Sequence, residues 1–228
     1  MDWPSCRNVR DLAGIAVDGG RWIRPDALIR SDNLVQLDER GLAALRSAGV
    51  SRVVDLRAVW ECRSFPSPLA NDPAWVNVPL TDVADPDESA LDLAVQYCNL
   101  LDRRQARFGE AIAAIADAPP GCVVVTCHAG KDRTGLVIAV VLAGVGVSDQ
   151  AIGADYATLG PSPASAMQVG SPFLGGSSVP EMMPPRPATI VMALDHLRAR
   201  YGSVAAYLTR AGVTGRQLQS LTGRLCTS

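Results

Sequence analysis

Eight consecutive residues could do chemistry together: Cys127-His128-Ala129-Gly130-Lys131-Asp132-Arg133-Thr134. They lie between the β-branched run Val123-Val124-Val125-Thr126 and an apolar run that opens at Leu136. A nucleophile type, five residues, then an arginine and a threonine, set between a strand and a helix, bind an oxyanion. Loop N–H groups and a helix N-terminus converge on one centre and favour negative charge there. The same field favours a thiolate, so Cys127 is expected to have a depressed pKa and to act as a nucleophile near neutral pH. Arg133 offers a planar fork of donors that matches two phosphoryl oxygens, which a lysine cannot provide. Thr134 can donate its hydroxyl to the sulfur and ease its departure. The cradle is therefore expected to comprise His128, Ala129, Gly130, Lys131, Asp132, Arg133 and Thr134.

Lys131 is the only lysine; every other Lys/Arg position is arginine. Chance is the simple explanation, since one lysine must fall somewhere. The functional reading is that a flexible ammonium at the pocket rim suits a second anionic group on a substrate.

Cleavage of a phosphate ester also needs a proton for the leaving oxygen. The segment Leu80-Thr81-Asp82-Val83-Ala84-Asp85 follows an expected strand and supplies candidates. Asp82 is the first choice as acid, Asp85 the second and Asp132 the third. Asp132 could instead order backbone N–H groups or activate the attacking water. A turn aspartate that caps backbone amides is the plain alternative for Asp82.

The loop read as CHAGKDRTG resembles the HCxAGKDRTG loop of the cysteine-dependent protein tyrosine phosphatases, and Asn8-Val9-Arg10-Asp11-Leu12-Ala13-Gly14 resembles the NxRDLGG opening of their bacterial tyrosine/serine members. Arg30-Ser31, Asp55-Leu56-Arg57 with Glu61, and Asp155-Tyr156 fall in that family's order too. The resemblance covers nearly the whole chain. It implies a phosphatase-like fold and a protein tyrosine phosphatase with dual specificity, active on phosphoserine/threonine or phosphoinositide as well. The partners implied are a phosphorylated protein or phosphoinositide substrate, with phosphate or another oxyanion in the loop. Asp82 matches the position of the family's acid, although Thr81 stands where a proline is usual. A second departure is Thr126, where the family has histidine; here His128 follows the cysteine instead.

The elements that must position this loop alternate between strand and helix. Strands are expected at 27–31, 52–56, 75–80 and 122–126, and helices at 37–48, 89–118 (one or two), 133–143 and from a Ser148-Asp149 cap to about 158, with three more after 188. This order predicts an α/β fold with a central, mostly parallel sheet flanked by helices, and a loop at a strand's carboxyl end. At 228 residues, one phosphatase domain over 1–228 is expected. Residues 160–187 break the pattern. They are rich in Pro, Gly, Ser and Met, and Phe173, Leu174, Met182 and Met183 would give a lid or substrate-selecting wall adaptable apolar contact.

Other residues read as structural: Asp55 with Arg57, and Arg10 with Asp11, as buried or half-buried braces; Tyr156 as core; His196 as an ordinary helix residue. Composition excludes several classes. The net charge of −2 and the absence of a basic run argue against nucleic acid. Six scattered cysteines without metal spacing argue against zinc, and no cofactor is expected. One of the other five could act as a redox partner for Cys127. The apolar run 136–147 is too short to span a bilayer, so no stable membrane insertion is expected. A basic-then-apolar leader is missing, which points to the cytoplasm without excluding signal-less export. Two other function classes remain: a catalytically weak phosphate-dependent binding module, and a sulfurtransferase or arsenate reductase-like enzyme.

Overall fold

The run Cys122–Thr126 is buried along its whole length in the computed structural model, which describes residues 3, 5, 6, 8–158 and 185–227. It is the middle of a five-stranded sheet among those residues. In chain order the strands are β1 (Arg10–Asp11), β2 (Ala16–Val17), β3 (Arg21–Trp22), β4 (Leu28–Ser31), β5 (Val50–Asp55), β6 (Trp75–Asn77) and β7 (Cys122–Thr126). The sheet runs β1-β4-β7-β5-β6, while β2 and β3 form a separate hairpin. β7 pairs in parallel with both β4 and β5, β5 with β6, and only β1 is antiparallel.

Successive side chains on a strand face opposite ways, and a sheet covered on both faces needs apolar residues at every position. Val123 and Val125 accordingly join Leu28 and Val54 in the larger apolar cluster, with Phe108, Ile112 and Leu136. Cys122 and Val124 join Ile29 and Val53 in a smaller cluster with Leu45 and Trp3.

The helices are α1 (Glu39–Ser47), α2 (Val59–Ser64), α3 (Leu93–Arg103), α4 (Gln105–Ala116), α5 (Asp132–Gly144), α6 (Asp149–Ala157), α7 (Pro187–Tyr201), α8 (Val204–Arg210) and α9 (Gly215–Leu225). The mixed α/β order and mostly parallel sheet agree with the expected class. The long apolar helix is buried from Thr134 to Leu142. Ser148 caps α6 by accepting the Ala151 N–H at 3.3 Å. The helical stretch expected over 89–118 divides at Arg104, which pairs with Asp85 while its neighbour Arg103 pairs with Glu88 at 3.0 Å. The strand expected over 75–80 stops at Asn77. Apart from 185–187, the expected lid over 160–187, with Phe173, Leu174, Met182 and Met183, lies outside the described residues.

Register matters most for the site. Ser31 and Asp55 both stand opposite Thr126, so β4, β5 and β7 end at one level. The segments that follow them start side by side, which is where parallel sheets bind ligands.

A buried charge of β4 braces this edge of the sheet. Arg30 of β4 is 0% exposed. Its Nη1 donates to Asp155 Oδ2 at 2.7 Å and its Nη2 to the Gly130 carbonyl at 2.8 Å. Arg10 donates to the other Asp155 oxygen at 2.5 Å. Arg10 thus braces through α6; Asp11 braces its own turn, accepting from Ala13 N and Asp26 N. A buried carboxylate that loses one of two guanidinium partners is left poorly compensated. Arg30→Met is therefore expected to cost about 3–5 kcal/mol in urea unfolding. An unchanged midpoint would show that Arg10 alone satisfies Asp155.

Candidate active site

Cys127 follows the last residue of β7 and is 2% exposed. The loop behind it is fixed through its carbonyls. Asn33 donates to His128 O from its side chain at 2.9 Å and from its backbone at 3.1 Å. Asn8 Nδ2 donates to Ala129 O and Gly130 O, each at 3.1 Å. Arg30 takes Gly130 O as well. In a trans peptide the N–H points opposite to the carbonyl. With these carbonyls turned back toward β4, the next three N–H groups face the other way.

Gly130 makes this turn possible. Its φ is +67°, and a Cβ there would meet Ser31 O at 2.5 Å. Both the left-handed backbone and the close approach require glycine. Thr126 replaces the imidazole that the family resemblance led one to expect. Its hydroxyl donates to the Asp32 carbonyl at 2.5 Å and ties β7 to the segment after β4.

The arginine fork is held from the β5 side. Arg133 makes a two-pronged pair with Glu61 of α2, Nη2 to Oε1 at 3.0 Å and Nη1 to Oε2. Nη1 also reaches Thr81 Oγ1 at 3.2 Å. Glu61 is fixed in turn by the Ala58 N–H at 2.7 Å. Burial alone would push the Glu61 carboxyl up, but the bonds and charge of Arg133 outweigh it and hold it below the carboxylate range. For Arg133, burial works against the charge and Glu61 overcomes it, so the guanidinium stays protonated. His128 Nδ1 lies 4.0 Å from Glu61 Oε1, and burial together with Arg133 lowers its pKa against the opposing pull of Glu61.

Asp55 and Arg57 form the expected buried brace, Nη2 to Oδ2 at 2.7 Å. Asn77 joins the carbonyls of both, each at 2.8 Å. Thr134 is fully buried and its hydroxyl has no partner among the described residues.

Lys131 corrects an expectation. Its side chain is only 8% exposed, with Nζ 3.6 Å from Asp132 Oδ1. Burial and that carboxylate hold the ammonium within the loop, so it is not a flexible rim charge. Asp132 opens α5 and accepts a hydrogen bond from Tyr97. Asp82 is exposed; its carboxylate accepts from Ala84 N at 3.0 Å, and its own N–H binds Asp85 Oδ2 at 2.8 Å. Asp85 is engaged by Arg103 and Arg104. Tyr156 is core, at 1% exposure, and His196 pairs with Asp102 at 3.0 Å. All six cysteines are free thiols. No three His, Cys, Asp or Glu side chains among the described residues are grouped to hold a metal. No helix among those residues is long and apolar enough to cross a membrane.

Sequence reasoning did not assign roles to Asn8, Asn33 and Arg30 as carbonyl anchors, Glu61 as the arginine's partner, or Tyr97. Asn8, Arg30 and Glu61 stood in the motifs quoted above; nothing local marked Asn33 or Tyr97.

A mostly parallel α/β sheet with a cysteine loop at its carboxyl edge and a carboxylate-held arginine at the loop's end is the framework of a phosphatase. The chain belongs to the tyrosine phosphatase family, whose model matches residues 1–227. It is 30% identical over 220 residues to a Cupriavidus necator protein provisionally named a tyrosine-protein phosphatase, covering 90% of this chain and 81% of that one. It is 32% identical over 187 residues to the triple specificity protein phosphatase PtpB of Mycobacterium tuberculosis, covering 67% and 66% respectively. A tyrosine-protein phosphatase of Nostoc commune is 28% identical over 224 residues, covering 89% and 75%.

The Arg133–Glu61 pair makes a pH-dependent contribution to stability. Glu61 has a folded pKa below its ordinary 4.5, so the contribution is complete above that value and is lost as pH falls through the folded value. Glu61→Gln is expected to cost about 1.5–3 kcal/mol at neutral pH. The gap from the parent protein should narrow in acid. Urea unfolding at neutral and at acid pH measures it, and a gap independent of pH would contradict this account.

Proposed function

We propose that the whole chain is one phosphatase domain, which hydrolyses phosphomonoesters through a cysteinyl-phosphate and acts on phosphotyrosine and beyond. The observation that carries this reading is the pinned loop: buried Cys127 is followed by peptides whose carbonyls are anchored from behind, and by an arginine fork held by Glu61. Such preorganised donors stabilise charge that develops in a transition state.

In this mechanism the Cys127 thiolate attacks phosphorus in line, forming the S–P bond as the ester P–O bond breaks. Arg133 and the amides of the loop hold the equatorial oxygens. The leaving oxygen takes a proton from Asp82, whose neighbour Thr81 already touches Arg133. Water then attacks phosphorus, giving its proton to Asp132 or Asp82, and the S–P bond breaks. Thr134, whose hydroxyl has no partner among the described residues, donates it to the departing sulfur. The triple specificity in the name of PtpB supports a substrate range wider than phosphotyrosine alone; phosphoserine/threonine and phosphoinositide are the substrates to test.

Cys127→Ser is expected to abolish turnover of phosphotyrosine and phosphothreonine peptides and of a short-chain phosphoinositide, while vanadate binding survives. Substantial residual hydrolysis would sink the covalent mechanism. Vanadate binding by the parent protein without turnover of any substrate would favour a binding module.

Asp82→Asn should slow an alkyl phosphate by about 10²–10⁴-fold, the usual worth of a general acid. An aryl phosphate with a good leaving group should slow far less, because it departs without a proton. If Asp132→Asn shows that contrast and Asp82→Asn does not, Asp132 is the acid.

A further inference from the structure

Two buried tyrosines stand behind the loop. Tyr97 of α3 is 3% exposed and Tyr156 of α6 is 1% exposed. Their rings meet edge to face at 6.2 Å, and their hydroxyls are 2.7 Å apart. The Tyr97 hydroxyl also bonds Asp132 Oδ1. Each hydroxyl has one proton, and an ionised carboxylate only accepts. Tyr97 must therefore spend its proton on Asp132, and Tyr156 must donate to Tyr97. The chain has one direction, from Tyr156 through Tyr97 to the carboxylate.

We propose that Tyr97 is a positioning residue for the proton-transfer step, holding the Asp132 carboxylate in one orientation at the end of a hydroxyl chain that begins at Tyr156. This rests on the reading of Asp132 as a proton carrier.

The carboxylate's two oxygens are treated differently. Oδ1 takes the Tyr97 hydroxyl and lies 3.6 Å from Lys131 Nζ. Oδ2 has no partner among the described residues, and the side chain is 42% exposed. One oxygen is held while the other is presented, as a group that exchanges protons with water needs. Burial, reinforced by the charge of Asp132, pushes the Tyr97 hydroxyl up; burial pushes Tyr156 up to about 12. Both remain donors wherever the enzyme works. The seat of the chain is built into the helix that carries Asp132. A Cβ at Gly135 would meet the Tyr156 ring at 2.9 Å, so α5 admits that ring only because residue 135 is glycine.

The test is a double-mutant cycle on the full chain, with an alkyl phosphate, whose poor leaving group needs a proton, as substrate and inorganic phosphate as competitive inhibitor. Tyr97→Phe should lower kcat by about tenfold, the worth of one charge-assisted hydrogen bond. KM and the inhibition by phosphate should stay unchanged, because the oxygen cradle is intact. In an Asp132→Asn background the same substitution should change kcat no further. Multiplicative losses, or a loss in KM with kcat unchanged, would overturn the proposal. So would an unaltered kcat in Tyr97→Phe. Should that variant not fold, Tyr156→Phe removes the upper link, and its smaller loss should likewise vanish without Asp132. Full activity in Asp132→Asn alone would instead remove the proton-carrier reading, and this inference with it.

Discussion

Three carbonyl oxygens, those of His128, Ala129 and Gly130, are each engaged by a donor that the chain brings from far upstream. The trans peptide couples the two faces of every unit, so a constraint on the back of the loop is a constraint on its front. Asn8 reaches the loop from ahead of β1, Arg30 from β4 itself, and Asn33 from the turn after it. All three sit on one side of β7. The β1–β4 edge of the sheet thus serves as the loop's backing, and the parallel pairing of β4 with β7 sets its distance.

The opposite flank is organised by charge. Asp55–Arg57 locks the turn after β5, and Glu61 on the short helix that follows grips Arg133. Buried ion pairs add little net stability because desolvation offsets much of the attraction, but removing one partner is severe. Their effect here is on direction: a two-pronged carboxylate contact fixes a guanidinium's plane as well as its position. The loop is therefore held by neutral amides and a guanidinium on one side and by a carboxylate-gripped arginine on the other.

Much of this was legible from the residues alone. The strand at 122–126, the apolar helix after the loop, the Ser148 cap and the Asp55–Arg57 brace follow from local pattern, and the structure has them. The β2–β3 hairpin was missed, although Asp18-Gly19-Gly20 is a hairpin signal and both glycines have positive φ. Two-residue strands such as β1 carry no periodicity to detect. Lys131 is buried within the loop and not at its rim; uniqueness in composition says nothing about burial. Asn33 and Tyr97 could not be found because they act across 95 and 35 residues of sequence, and only the packing of β4 and α3 against the loop brings them there.

Thr126 occupies the position before the cysteine, and its hydroxyl keeps one protonation state from mild acid to mild base. An imidazole there would change charge across the neutral range. The tie between β7 and the Asp32 carbonyl is thus indifferent to acidity, and the titrating ring lies on the other side of Cys127, at His128, beside Glu61 and partly in solvent. Scaffold and proton-sensitive group have been separated onto the two neighbours of one cysteine, so the environment can alter the charge at the mouth of the site without loosening its foundation.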